Sequence, residues 1–309
     1  MRIVIIGGGP AGMSCALWLK VFGHECFILE REAKLGGLQR LNPHHNRWLL
    51  GAIGQRGTDV AGQFARHMEV EGVPSIVDCT VSRIVANGTG GFAVTGTRKG
   101  EGELSLTANA IVVATGTRPR TLPMIERLRA QTTRLVVGPT GLAIRDLIFG
   151  QRVAILGGGD NGIDHAVYLA ERGNRVTVFL RSKPRARARF LALAARSPSI
   201  ELRTYAQLEV LSASATEVAV GVDGEAIGFD YFLAMLGYDP NTEFLRETLV
   251  DVAITLGPAG YVTVDRDQRT AHPGVYAIGD VTNAQQPCVA TALGQGAAAA
   301  KHIDQQASD

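Results

Sequence analysis

Arg2-Ile3-Val4-Ile5-Ile6-Gly7-Gly8-Gly9-Pro10-Ala11-Gly12 opens the chain, and Arg152-Val153-Ala154-Ile155-Leu156-Gly157-Gly158-Gly159-Asp160-Asn161-Gly162 lies over it position for position 150 residues later. Each stretch is an apolar run that stops at glycine, as a buried strand entering a tight turn does. The overlay continues with Leu17 and Leu19 against Val167 and Leu169 in a helical pattern. Gly23 then falls against Gly173 where that helix should stop, and Phe27-Ile28-Leu29 against Thr177-Val178-Phe179 as a second strand. Both copies hold G-x-G-x-x-G, at Gly7, Gly9 and Gly12 and at Gly157, Gly159 and Gly162. The first glycine makes the turn, the second admits a pyrophosphate to the backbone, and the third lets helix and strand approach closely. Two copies in the same strand-to-helix setting predict an α/β chain with two Rossmann-type dinucleotide-binding domains.

The end of the second strand separates the two nucleotides. In the first copy it is Glu30, placed to accept hydrogen bonds from a ribose diol. Leu180 stands at that place in the second copy, followed by the cations Arg181, Lys183, Arg185, Arg187 and Arg189. A carboxylate there would repel a 2′-phosphate, whereas guanidinium groups bind one, so the second site favours NADPH over NADH. The same run also reads as a solvated surface segment.

At 309 residues the chain exceeds one typical core and suits two. Hydrophobic residues at 46% and charged residues at 19% exclude a disordered chain, and no apolar stretch is long enough to span a bilayer. A net charge of +2 argues for neither nucleic acid nor an anionic membrane as partner. Cys15, Cys26, Cys79 and Cys288 are scattered, the seven histidines are dispersed, and no metal site is expected. With no signal-peptide pattern at Met1, the expected location is cytoplasmic. Cys15 and Cys26 read as core residues, as does Cys79 in a continuous strand from Ile76 to Val81.

These motifs, with Leu35-Gly36-Gly37, Ala114-Thr115-Gly116, Gly237-Tyr238-Asp239-Pro240-Asn241-Thr242 and Gly274-Val275-Tyr276-Ala277-Ile278-Gly279-Asp280, resemble the low-molecular-weight thioredoxin reductases and the thioredoxin-reductase-type ferredoxin–NADP reductases. The resemblance covers nearly the whole chain. It implies two three-layer ββα domains, the second inserted into the first: an FAD domain of residues 1–115 and 245–309, and an NAD(P)H domain of residues 116–244. It implies FAD contacts from Gly7, Gly9, Pro10, Ala11, Gly12, Glu30, Gly37, Leu38, Gln39, Val81, Ala114, Thr115, Gly116, Gly279, Asp280 and Val289. NADP contacts would come from Gly157, Gly159, Asp160, Asn161, Gly162, Arg181, Arg185 and Arg187. In such proteins the aspartate matching Asp280 hydrogen-bonds the flavin's ribityl chain, and the helix beginning near Val289 points its N-terminus at the flavin's pyrimidine end. The resemblance also implies a homodimer.

The chain departs from the family at the dithiol. Where thioredoxin reductases carry C-x-x-C, Thr140 and Ala143 stand, and no cysteine lies between Cys79 and Cys288. Disulfide reduction through a bound dithiol is therefore not expected. Cys288, beside a helix start, reads either as a reactive thiol, the one catalytic candidate, or as a flavin-packing residue. The loop from Arg40 to Trp48 reads either as an acceptor-recognition region or as a solvated loop with Trp48 tucked against its domain. The leading expectation is an FAD-dependent NAD(P)H:acceptor oxidoreductase, with hydride passing from NADPH to flavin N5 and electrons then to ferredoxin or flavodoxin. Such acidic partners could dock on Arg181 to Arg189 or on Arg118 and Arg120. The alternatives are an FAD oxidase or reductase of a small molecule, and a non-catalytic flavin-binding sensor with an unused nicotinamide site.

Overall fold

The computed structural model describes residues 1–42, 45–46, 48–88, 90–138, 147–248, 252, 254–283 and 286–308. Thr140 and Ala143 lie outside these residues, as do Pro43, His44 and Arg47 of the polar loop. The chain divides into unit 1, Met1–Arg118 with Asp239–Asp309, and unit 2, Pro119–Tyr238. The two crossing segments, β8 (Thr117–Pro119) and β17 (Tyr238–Pro240), run side by side as a two-stranded ribbon.

Unit 1 is built on a parallel sheet in the order β18 (Val275–Ala277), β7 (Ala110–Val113), β1 (Arg2–Ile6), β2 (Glu25–Leu29), β3 (Ser75–Ile76). Successive side chains of β1 point to opposite faces and are buried on both. Ile3 and Ile5 join α1 (Pro10–Val21), α2 (Gly57–Val70) and α7 (Val289–Ser308) in one core. Val4 and Ile6 join the antiparallel β4 (Cys79–Ala86), β5 (Phe92–Arg98) and β6 (Gly102–Ala108) in the other.

Unit 2 repeats this layering with β12 (Ile200–Thr204), β11 (Arg175–Leu180), β10 (Arg152–Leu156), β16 (Tyr231–Ala234) and β9 (Leu135–Val137). Val153 and Ile155 pack on α4 (Asp160–Glu171) and α5 (Ala188–Ala195). Ala154 and Leu156 pack on the antiparallel β13 (Leu208–Ala213), β14 (Val218–Val222) and β15 (Glu225–Phe229). The repeat thus holds down to which face each residue serves: Met13, Ala16, Leu19 and Ile28 occupy the helix-side core of unit 1, and Ile163, Ala166, Leu169 and Val178 that of unit 2.

The helix boundaries follow from local chemistry. Pro10 opens α1, where its missing N–H costs nothing. Gly23, at φ +84°, closes it with Gly23 N–H donating to Lys20 and His24 N–H to Leu19. Gly173, at φ +79°, ends α4 the same way, with Gly173 and Asn174 donating to Ala170 and Leu169. The strand expected to run unbroken from Ile76 to Val81 is interrupted at Asp78, whose φ of +52° ends β3 and re-aims the chain into β4. A short polar side chain tolerates that conformation better than its neighbours would.

Helix α7 crosses α1 at a point that admits no side chain: a Cβ on Gly296 would lie 2.6 Å from the Ala11 carbonyl oxygen and 2.8 Å from the Cys15 nitrogen. Ser14 Oγ donates to the Leu293 carbonyl at 2.8 Å in the same crossing. Gly294, one half-turn away, is exposed and meets nothing within 4 Å. Gly296→Ala is therefore expected to cost about 1–3 kcal/mol by overpacking. Gly294→Ala should instead gain about 1 kcal/mol of helix propensity. Urea unfolding of the two variants checks the opposite signs.

Candidate functional site

In unit 1 the turn between β1 and α1 is closed on two sides by its own backbone. A Cβ on Gly7, at φ +112°, would stand 2.3 Å from the Ala114 oxygen, and one on Gly12 would stand 2.0 Å from the Gly7 oxygen. Gly9 is open, its nearest neighbour being the Gly37 Cα at 4.0 Å. Pro10 and Ala11 begin the helix, whose first N–H groups lack intrahelical partners. The 3-10 turn Gly37–Leu41 lies against this opening and brings Leu38 and Gln39 with it. The Gln39 amide nitrogen is buried with no hydrogen-bond partner among the described residues, an unspent donor at the edge of the cradle.

Glu30 is buried at the end of β2, with Oε2 accepting from Gly8 N–H at 2.6 Å and Oε1 from Glu32 N–H at 2.8 Å. Each oxygen keeps a second lone pair for a hydroxyl donor. Cys79 N–H donates to the Glu30 carbonyl at 2.9 Å, so buried Val81 lies two residues along β4 from that contact. Thr115 and Gly116, following Ala114 off β7, are tied to Asn241: Thr115 Oγ1 donates to its carbonyl, and its Nδ2 and N–H donate to the carbonyls of Thr115 and Gly116.

Gly279 reaches the same place from the end of β18, where a Cβ on it would stand 2.8 Å from Ala11 Cβ. Its N–H donates to Gln295 Oε1 at 2.8 Å, and Gln295 Nε2 donates to Thr282 Oγ1 at 3.2 Å, so a glutamine on α7 fixes the turn Gly279–Thr282. Asp280 within that turn has its carboxyl pKa pushed up by burial alone. Val289 is the first residue of α7, and Cys288, exposed, precedes it. The Cys288 pKa is lowered chiefly by a hydrogen bond with Thr291 Oγ1 at 3.3 Å; burial opposes this as the next largest effect, the N–H groups of Thr291 and Ala290 lower it further, and the Asp280 charge raises it. The other three cysteines are buried, and burial raises each thiol, Cys26 to about 11.

Unit 2 repeats the cradle by itself. A Cβ on Gly157, at φ +133°, would lie 2.2 Å from the Met235 oxygen and one on Gly162 would lie 2.0 Å from the Gly157 oxygen, while Gly159 meets nothing within 4 Å. Asp160 and Asn161 open α4, and Asn161 Nδ2 lies 3.5 Å from the Tyr238 hydroxyl. Asp160 holds Arg187, accepting from its N–H at 2.8 Å and from its Nε at 3.0 Å. Arg181, Lys183 and Arg185 are exposed. Both cradles have the shape that a pyrophosphate requires: glycine closure below, an open second glycine, and unsatisfied helix N–H groups.

A family model described as pyridine nucleotide-disulphide oxidoreductase matches residues 1–297. The chain belongs to the pyridine nucleotide-disulphide oxidoreductase family. It is 27% identical to a ferredoxin–NADP reductase of Limosilactobacillus fermentum, over 97% of this chain and 92% of that one. It is also 27% identical to a ferredoxin–NADP reductase of Ignicoccus hospitalis, over 91% and 90% of the two chains. Among solved structures, the thioredoxin reductase of T. acidophilum superposes with a TM-score of 0.80 at 26% identity, covering 99% of this chain and 98% of that one. FAD and NADPH are typical of reductases with these names. As a pyridine nucleotide-disulphide oxidoreductase, the chain is an enzyme of the oxidoreductase class.

Some site features escaped the sequence. Gln295 was findable as the polar interruption of the small-residue stripe Ala292, Gly296, Ala299 and Ala300. Trp48 is 81% exposed and not tucked against unit 1, because Asn46 Oδ1 accepts from both Trp48 and Leu49 N–H and turns the backbone so that the ring points outward. Arg118 and Arg120, expected to be available to a partner, are engaged internally: Arg118 with Glu243 and Asn241, Arg120 with the Tyr238 carbonyl.

Two outcomes follow for this oxidoreductase. Iodoacetamide at neutral pH should label Cys288 alone, with mass spectrometry of tryptic peptides finding Cys15, Cys26 and Cys79 unmodified. Asp280→Asn should raise the melting temperature of flavin-free protein at pH 7. A carboxyl whose folded pKa is raised costs stability where it is ionised, and the advantage should fade as pH falls toward the ordinary carboxylate value of 3.8. Equal melting of variant and parent at pH 7 would remove the burial cost from Asp280.

Proposed function

We propose that the chain is an FAD-dependent NADPH:acceptor oxidoreductase that works without an enzyme-bound dithiol, and that its acceptor is a one-electron carrier protein, ferredoxin or flavodoxin. The observation that carries this reading is the pairing of one cradle edged by a buried carboxylate, Glu30, with a second edged by Leu180 and free cations. The first suits the ribose diol of FAD and the second the 2′-phosphate of NADPH. The names of the Limosilactobacillus and Ignicoccus relatives support the acceptor class. The distribution of cysteines supports the dithiol-free route, since the exposed Cys288 has no second exposed thiol with which to form a redox pair.

In unit 1 the Gly7–Gly12 turn and the start of α1 hold the FAD pyrophosphate. Glu30 accepts from ribose hydroxyls, and Asp280 accepts from the ribityl chain, which offsets the cost of its burial. The N-terminus of α7, after Cys288, favours negative charge at the adjacent end of the flavin. Val81, Ala114, Thr115 and Gly116 line the approach from β4 and β7. In unit 2 Gly157, Gly159 and Gly162 cradle the NADPH pyrophosphate, and Arg181 and Arg185 carry cationic donors toward its 2′-phosphate. Bound FAD supplies what no side chain can, accepting a hydride and releasing electrons singly. The balance is one NADPH and two oxidised carriers giving NADP⁺, one proton and two reduced carriers.

Anaerobic stopped flow of the FAD-loaded protein tests this. NADPH should bleach the flavin absorbance faster than NADH, and addition of ferredoxin or flavodoxin should restore it, while thioredoxin should not. A flavin that dithionite bleaches but neither nicotinamide does would remove the donor from the proposal. Restoration by thioredoxin would remove the dithiol-free route.

A further inference from the structure

Arg181 and Tyr205 leave neighbouring strands at the same level. β11 and β12 are parallel with Leu180 opposite Thr204, and Tyr205 N–H donates to the Leu180 carbonyl at 3.2 Å. Each residue is therefore the first beyond the end of its strand, at the carboxyl edge of the sheet where α/β domains bind their ligands. The Tyr205 ring is half-buried against the core on the β13–β15 side of unit 2, which anchors it, and no hydrogen bond of the described residues uses its hydroxyl. Burial raises the phenol pKa and the nearby Arg181 guanidinium lowers it by less, so the hydroxyl is protonated at neutral pH, as an ordinary phenol is, and serves as a donor.

Two of the other cations at this edge are paired, while Lys183 and Arg185 stay exposed as Arg181 does. Arg187 is held by Asp160 at 3.0 Å and Arg203 by Glu225 at 3.0 Å. The backbone N–H groups of Arg185 and Ala186 are bound to the Gly158 carbonyl at 2.8 and 3.1 Å, which ties that segment to the glycine turn. The strand register sets Arg181 and Tyr205, with its unused phenol O–H, at adjacent strand ends just past Leu180, the place that Glu30 takes in unit 1. We infer, building on the assignment of NADPH to unit 2, that Tyr205 is a selectivity residue whose hydroxyl, together with Arg181, binds the 2′-phosphate of the adenosine ribose. A phosphate dianion accepts from both donors at once, whereas a ribose 2′-hydroxyl gains little from a guanidinium.

Calorimetric titration of the full-length, FAD-loaded protein with 2′,5′-ADP and with 5′-AMP tests this. The wild type should bind 2′,5′-ADP the more tightly. Tyr205→Phe, which keeps the packed ring, should weaken 2′,5′-ADP by about tenfold, the loss of one hydrogen bond to a charged group, and leave 5′-AMP unchanged. Arg181→Gln should weaken 2′,5′-ADP as well, and the double variant should lose less than the product of the two, because both donors serve one phosphate. If Tyr205→Phe binds 2′,5′-ADP like the wild type, or loses both nucleotides equally, the role of Tyr205 is refuted while the NADPH assignment stands. A wild type that binds the two nucleotides equally would overturn the NADPH assignment itself, and Tyr205 with it.

Discussion

A Cβ on Gly12 would stand 2.0 Å from the Gly7 oxygen, and one on Gly162 would stand 2.0 Å from the Gly157 oxygen. Everything at either site depends on that closeness. It lets the helix start directly over the end of the central strand, so that its first N–H groups face the space above the carboxyl edge of the sheet. It also sets how near the neighbouring strand may come, since Gly7 sits against the carbonyl of Ala114 and Gly157 against that of Met235. With the turn fixed from below, the second glycine is the one place where the backbone stays open. The same constraint reaches into α7: Gly279 lies against Ala11, and Gly296 against the first turns of α1. The late helix is thus brought up to the glycine turn by contacts that only glycine permits.

The strand, turn and helix of each cradle were legible because their signals are local. β-Branched runs, glycines at fixed spacing and a terminating Gly23 or Gly173 lie within about one βαβ unit, the range over which periodicity and turn chemistry act. The faces of the sheet were not legible, since β1 and β10 are continuous apolar runs and only the fold shows which core each residue joins. The fifth strand of each sheet was not legible. In unit 1 it is β18, after the second unit in sequence, and in unit 2 it is β9, before the central strand. Both pair beside the strand that follows the antiparallel meander, yet nothing local to Val275–Ala277 or Leu135–Val137 names its partner.

Side-chain commitments were hidden for a related reason. Arg187 reads in sequence as one cation of a basic run, and only the fold shows that Asp160, 27 residues away, holds it. Arg118 and Glu243 are separated by the whole of unit 2. A charge cluster in sequence is an upper bound on the free charge at a surface, because partners are chosen by proximity in space. Trp48 errs in the opposite direction: an aromatic residue in a polar loop is easily assigned to the core, but the Asn46 turn commits its backbone before packing can.

The two cradles also show where the repeat is free to diverge. In both, the loop after the second strand docks on the carbonyl of the middle glycine: Gly36 N–H donates to Gly8 at 2.7 Å, and Arg185 and Ala186 N–H donate to Gly158. Leu35 packs where a Gly8 side chain would be, and Leu180 and Pro184 where a Gly158 side chain would be. The backbone solution is therefore the same, and it constrains the loops little beyond their point of attachment. What the loops carry at the point of docking differs: Gly36, Gly37, Leu38 and Gln39 in unit 1, and Lys183, Arg185 and Arg187 in unit 2. In unit 1 Gly8 N–H is also bound by Glu30, an anion that keeps the neighbouring ribose edge negative. Replacing that residue with Leu180 removes the anion without disturbing the turn, because the turn's closure comes from glycine contacts and not from the carboxylate. Specificity could thus change sign at one edge while the fold, which rests on Gly157 and Gly162, remained as it was.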